Sequence, residues 1–218
     1  MTPNTYRLYA DTADERAVAT LLQASLITGV TTNPTILARA SLGAGDIPRL
    51  HERWHTAGAT EIFFQAWGSD VDALLARGRA LAALGPDVVV KVPATVDGFR
   101  AARALIDEAI PVLVTAVYSP AQAIAAASIG ARYIAPYLGR LSDAGRDGVE
   151  EIGHMNGLLA STPTAVLAAS LRSPAAIVAL ADVGVRHFTA APSVIWDCLF
   201  DPVSEASAIQ FEREMDER

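Results

Sequence analysis

Val88-Val-Val-Lys-Val-Pro-Ala94 is the run whose reading decides the fold. Five of its seven residues are valine or alanine, which suits a strand buried on both faces, as in parallel sheets. Lys91 is the misfit. An unpaired ammonium costs several kcal/mol to bury, or else shifts towards its neutral form. With a pKa of about 10.4 a lysine is only ~0.04% neutral amine at pH 7, and a fall of about 3 units raises that to ~30%. A neutral amine beside a pocket is what Schiff-base attack on a carbonyl requires. The plainer reading is a barrel-interior lysine satisfied by a carboxylate such as Asp11, and the run alone leaves both open.

Outward from this run, apolar strand-like stretches alternate with alanine-rich helical ones. Strands are expected at 7–11, 27–31, 61–66, 88–92, 111–115, 133–137, 165–169 and 186–190. Helical stretches follow each, with a Gly/Asp/Arg-rich loop between strand six and its helix at 149–161. Eight strand–helix units without a composition break point to an α/β chain folded as a single (β/α)8 TIM barrel over 1–218. An additional C-terminal helix, about 204–217, remains, with Ile209 and Phe211 on an otherwise acidic segment. It either packs on its own barrel or docks on a neighbouring subunit.

The 218 residues suit one barrel, and a net charge of −7 leaves no dense basic face for nucleic acid. Cys198 is the sole cysteine, which excludes an internal disulfide and fits a reducing compartment. No basic-then-apolar leader and no membrane-span-length run is visible, so a cytoplasmic location without membrane attachment is expected.

Active sites in such barrels lie at the C-terminal strand ends. Those positions hold Asp11, Thr31-Thr32-Asn33, Gln65, Lys91, Thr115, Tyr137, Ser170 and a weaker Ala190-Ala191. Strand ends meet water and need turn residues, so some polarity is ordinary. A carboxylate, a lysine, a phenol and an amide together form a coherent site for imine chemistry with a bound water. Arg140 and Arg172, beyond strands six and seven and beside Ser170, suit a substrate phosphate, although rim arginines are commonly only solvated.

His51-Glu-Arg-Trp-His55 matches the H-E-x-x-H zinc-protease pattern. Gly58 reads more simply as a helix C-cap, Glu61 as the start of strand three, and the segment falls at the barrel's N-terminal face. His154 reads as a helix-surface residue, and His187 as a strand residue facing either the interior or a helix. No metal is expected.

Six motifs carry a family likeness. Tyr9-Ala-Asp-Thr-Ala-Asp14, Gly29-Val-Thr-Thr-Asn-Pro34, Val89-Val-Lys-Val-Pro93, Thr115-Ala-Val-Tyr118, Ala135-Pro-Tyr-Leu-Gly-Arg140 and Leu167-Ala-Ala-Ser170 resemble, in order, those of the small transaldolase family. The match is closest to its fructose-6-phosphate aldolase branch. The resemblance implies a Schiff-base nucleophile at Lys91 and an acid/base carboxylate at Asp11. It implies a water held by Gln65, Thr115 and Tyr137, and substrate contacts from Asn33 and its neighbour Thr32. Arg140 and Ser170 would take the phosphate, with Arg172 assisting. Gln65, Leu113 and Tyr137 stand where transaldolases proper have glutamate, asparagine and phenylalanine, which places the chain with the aldolases. Thr189-Ala-Ala-Pro-Ser193 departs from the family's strand-eight ending, and Leu171-Arg172 is nearer the transaldolase form. The implied activity is a class I aldolase joining a dihydroxyacetone-like ketone and an aldehyde such as glyceraldehyde 3-phosphate, with no cofactor. The alternatives are a transaldolase and a non-catalytic sugar-phosphate-binding barrel. The resemblance also implies a homo-oligomer, a pentamer or decamer.

Overall fold

The structure, a computed structural model, describes residues 5–216. Its strands are β1 (Arg7–Asp11), β2 (Gly29–Thr31), β3 (Glu61–Gln65), β4 (Val88–Pro93), β5 (Val112–Val117), β6 (Tyr133–Pro136), β7 (Ala165–Leu171) and β8 (His187–Ala190). All pair in parallel, in sequence order, and β8 closes on β1. Helix α1 (Glu15–Gln23) follows β1. After β2 come α2 (Pro34–Arg39) and α3 (Ile47–Thr56), separated by a 3₁₀ turn at Ala44–Asp46. Helices α4 (Val71–Ala82), α5 (Val96–Asp107) and α6 (Pro120–Ser128) follow β3, β4 and β5. Helices α7 (Leu138–Asp143) and α8 (Gly148–Leu159) follow β6, α9 (Pro174–Asp182) follows β7, and α10 (Pro192–Asp197) and α11 (Pro202–Asp216) close the chain. This is a (β/α)8 TIM barrel with an extra C-terminal helix.

Strand side chains alternate between two faces, and one parity serves each core. Val30, Ile62, Phe64, Val88, Val90, Val92, Val112, Val114, Ile134 and Val166 pack outward against the helices. Tyr9, Phe63, Val89, Leu113, Tyr133, Ala135 and Leu167 fill the barrel interior. With Val89 inside, its i+2 neighbour Lys91 must point inward too, one layer nearer the C-terminal mouth. Helices are seated by matched pairs: Trp54 of α3 stacks on Phe64 of β3 with ring centroids 5.7 Å apart.

Two departures from the sequence reading stand out. The loop after strand six contains α7, whose Leu138 and Leu141 are buried one turn apart. Six residues are too short a window for periodicity to distinguish from loop. Glu61, expected merely to start strand three, is a buried carboxylate plugging the barrel floor. It accepts Tyr9 Oη at 2.5 Å and Tyr133 Oη at 3.1 Å, and pairs with Arg132 at 2.5 Å. His187 faces inward here, its ring 5.6 Å from that of Tyr133, whereas His154 is exposed as expected. Gly58, at φ +103°, follows the last turn of α3 and donates to the His55 carbonyl, as expected of a helix-ending glycine.

Helix α11 buries no residue, and Val203, Ile209, Phe211 and Met215 are all exposed on it. Among the described residues no helix is long and apolar enough to cross a membrane.

Candidate active site

Lys91 is the only lysine in a chain that otherwise uses arginine for positive charge. It is 4% exposed, and Nζ donates to the Thr32 carbonyl at 2.9 Å. Burial pushes its pKa down, and the Asp11 carboxylate opposes that only in part. The plain alternative of a lysine satisfied by a carboxylate is therefore not what the geometry presents. The hydrogen bond goes to a neutral carbonyl, and desolvation outweighs the one charge nearby. Asp11 is perturbed the other way. Burial raises its pKa, while Lys91 and a 2.7 Å hydrogen bond from Thr31 Oγ1 hold it back. Amine and carboxyl are thus each moved towards neutrality, the pattern expected of paired acid/base groups.

Parallel register sets the partners. Gln65 lies beside Lys91 on β3, and Leu113 lies beside it on β5. Thr115, one inward position above Leu113, hydrogen-bonds Tyr137 Oη at 2.7 Å. Burial pushes the Tyr137 phenol up, so it stays protonated and available as a donor. Tyr118 packs edge-on against Tyr137 at 5.9 Å, and the Arg140 guanidinium lies 5.6 Å from the same ring.

Asp11, Gln65, Lys91, Thr115, Tyr137 and Arg140 line a cavity of about 420 Å³ at the C-terminal mouth, with Asn33 and Ser170 also in its wall. Asn33 also accepts the Ile36 N–H and so caps α2, which holds its side chain at the rim. Strands β5 and β7 change register near their ends, and each places one non-glycine residue at positive φ: Ala116 and Ser170, both +58°. Both residues line the cavity. Bulges of this kind re-aim side chains at active-site rims, at a cost of order 1–3 kcal/mol for the strained residue. Gly139 makes room for the second of them. A Cβ there would lie 2.8 Å from both Ser170 Oγ and the Ser170 carbonyl.

Two expected contacts are placed otherwise. Arg172 is not among the cavity-lining residues, and its guanidinium forms a two-pronged pair with Asp143 at 2.8 and 2.5 Å. The Thr32 side chain borders a separate cavity of about 240 Å³ beside Leu37, Phe64 and Trp67, where its hydroxyl has no hydrogen-bond partner. Its backbone carbonyl is what reaches Lys91.

Sequence reasoning missed three groups. Thr189, rather than Ala190-Ala191, is the strand-eight contribution, and it joins Thr31 at 2.6 Å in a relay ending on Asp11. Strict alternation from the inward His187 would have found it. Thr31 reads in the sequence only as a strand end, whereas in the structure its hydroxyl donates to Asp11. Arg39, at the end of α2, enters the cavity wall with Arg140. No sequence signal marked it, because a helix-terminal arginine is usually a solvated charge.

Fold and site together define a class: a (β/α)8 barrel whose C-terminal mouth holds a buried amine, a perturbed carboxyl and a hydroxyl network. Residues 8–218 match the family described as Transaldolase/Fructose-6-phosphate aldolase. A protein of Caulobacter vibrioides named "Probable transaldolase" is 36% identical over 207 residues, covering 94% of each chain. One of Nitrosopumilus maritimus with the same name is 32% identical over 208 residues, covering 94% of this chain and 92% of that one. Among solved structures, dihydrodipicolinate synthase from Rhodopseudomonas palustris superposes with a TM-score of 0.64 at 14% identity over 100% of this chain and 80% of that one, a likeness of fold alone. The chain belongs to the transaldolase/fructose-6-phosphate aldolase family, and its family makes it an enzyme of the transaldolase/aldolase class.

Proposed function

We propose that the protein is a Schiff-base aldolase of the fructose-6-phosphate aldolase type, cleaving or forming the bond between a dihydroxyacetone-like ketone and a phosphorylated aldehyde. The observation that carries this reading is Lys91: a single lysine, buried, moved towards its neutral form and open to a polar cavity. Its amine adds to the substrate ketone, and loss of water gives the imine. Asp11, with a bound water, takes the proton from the hydroxyl β to the imine carbon. The carbon–carbon bond then breaks, its electrons flow into the iminium to give an enamine, and the aldehyde leaves. A water held by Gln65, Thr115 and Tyr137 returns a proton to the enamine carbon, and hydrolysis frees the ketone. Asn33 holds substrate hydroxyls. Arg140 and Ser170 bind the phosphate, and Arg39 adds a second guanidinium on the opposite rim. Arg172 assists only if it leaves Asp143.

A second reading, transfer of the same unit between sugar phosphates, is favoured by the names of the relatives. The phenol is the physical ground for preferring the aldolase, because a protonated donor beside the carbanion site promotes release over retention. Fructose 6-phosphate incubated with and without erythrose 4-phosphate separates the two, since free dihydroxyacetone without acceptor means aldolase. Borohydride reduction in the presence of substrate should add to Lys91 the mass of one ketone less one oxygen, since water leaves on imine formation and two hydrogens enter on reduction, and Lys91→Met should abolish it. A full-stoichiometry adduct in that variant would remove Lys91 from the mechanism. The uncovered apolar side chains of α11 support a homo-oligomer, and a pentamer or decamer is part of the same proposal. A cytoplasmic setting, in keeping with the lone Cys198, belongs to the same proposal.

A further inference from the structure

Helix α3 presents His51 and His55 one turn apart, and the turn entering β4 brings Asp87 between them. Asp87 Oδ1 lies 2.9 Å from His51 Nε2, and Oδ2 lies 3.0 Å from His55 Nδ1. One donor atom from each of the three residues fits within a 4.8 Å span. The imidazoles stack with centroids 5.8 Å apart and planes 20° from parallel. We propose that His51, Asp87 and His55 form a site for one divalent transition-metal ion, zinc above all, which clips α3 to the turn feeding the Lys91 strand.

Two imidazole nitrogens and one carboxylate oxygen are borderline donors suited to zinc, cobalt or nickel, and poorly suited to magnesium. An ion about 2.1 Å from each donor needs tetrahedral donor separations of about 3.4 Å. The 2.9 and 3.0 Å pairs must open slightly while the widest separation, within 4.8 Å, closes, and this adjustment falls on His55, whose side chain is 60% exposed, while those of His51 and Asp87 are 11% and 9% exposed. The buried side is already built. The Asp87 carbonyl accepts the Ile62 N–H at 2.8 Å, which ties its backbone to β3. Gly85 lies flat against the donors, for a Cβ there would sit 2.5 Å from Asp87 Oδ1 and 2.9 Å from His51 Nε2. A cradle without room for a methyl group is a second observation, independent of the donor spacing. The exposed side leaves the fourth position to water.

The site is not that of a protease. Glu52, the base of the H-E-x-x-H pattern, is exposed and borders a surface groove with Glu15, Arg16 and Arg53 instead. Asp87 also precedes Lys91 by four strand residues, about 13 Å, so an ion here touches no substrate at the barrel mouth. Its effect is on stability, by preferential binding to the folded chain. This inference is independent of the aldolase reading.

The test uses the full chain stripped with chelator and titrated with Zn2+ alone, followed by calorimetry, metal analysis after desalting and thermal melts. One zinc per chain is expected, with a rise in Tm. His55→Ala should weaken binding at least tenfold and abolish the Tm rise, while its metal-free melt and its borohydride trapping remain those of the parent. Asp87→Asn should weaken binding similarly, provided its circular dichroism matches the parent. Cobalt in place of zinc should give visible d–d absorption that His55→Ala loses, and Mg2+ should neither bind nor shift the melt. Absence of binding at micromolar zinc would overturn the site. So would equal affinity in the parent and His55→Ala, which would place the metal elsewhere.

Discussion

Tyr137→Phe removes a single oxygen, and its consequences follow from the geometry. That oxygen makes a 2.7 Å hydrogen bond to Thr115 Oγ1 in the cavity wall. Losing one neutral hydrogen bond costs about 0.5–1.5 kcal/mol of stability. In a chain of this length that is a fall in Tm of roughly 1–6 °C, too little to unfold the protein at assay temperature. The effect on chemistry is larger and selective. A hydrogen bond to a charged group contributes about 1.5–3 kcal/mol, so losing it when the enamine is protonated slows that step roughly 10- to 150-fold. Transfer to an added aldose bypasses this proton and should be nearly unaffected. The assay follows fructose 6-phosphate in two channels, dihydroxyacetone released without acceptor and sugar phosphate formed with erythrose 4-phosphate. The release-to-transfer ratio should fall by at least tenfold. An unchanged ratio, with the variant folded, refutes the role assigned to the phenol. A parallel loss in both channels would mean that Tyr137 acts before the carbon–carbon bond breaks.

The remaining perturbations act on charge. Burial holds Lys91 below the usual lysine range while Asp11 partly restores it, so Asp11→Asn should lower the lysine pKa further. The acidic limb of imine formation, where the amine gains its proton, should then move to lower pH, as read by borohydride trapping at limiting times; a limb that stays in place or rises contradicts the coupling. Because the folded-state pKa of Lys91 is depressed, the unfolded chain binds more protons between that value and 10.5. Parent stability should therefore rise with pH across that window, and Lys91→Met should flatten the slope in denaturant titrations on the alkaline side. At the barrel floor, Glu61→Gln leaves Arg132 without its 2.5 Å partner and weakens the bonds from Tyr9 and Tyr133. About 3 kcal/mol of stability should go, a drop in Tm of roughly 6–12 °C, with trapping at Lys91 intact in the folded fraction. A neutral effect would mean that the floor network is dispensable.

Helix-ending signals also came through where local geometry is decisive, as with Gly58 after α3. A six-residue helix such as α7 did not, because its two buried leucines become a signal only once β6 and α8 are there to cover them. Arg172 illustrates what chain order leaves open. Its position beside Ser170 is right along the chain, but the structure spends its guanidinium on Asp143, twenty-nine residues away.

From residue order alone the barrel was determinable, because eight apolar runs of strand length, each followed by a helical stretch, have few other ways to bury themselves. So was Lys91, whose charge is incompatible with the run that contains it. Alternation by two then dictates that it shares the barrel interior with Val89 and Leu113. Tertiary structure alone decided which groups meet. The Thr32 carbonyl reaches Lys91 across 59 positions, Thr189 reaches Thr31 across 158, and Asp87 reaches His55 across 32. Such pairings depend on the register between strands and on the seating of helices against the sheet. Those are set by packing across the closed barrel, which no local window of sequence contains.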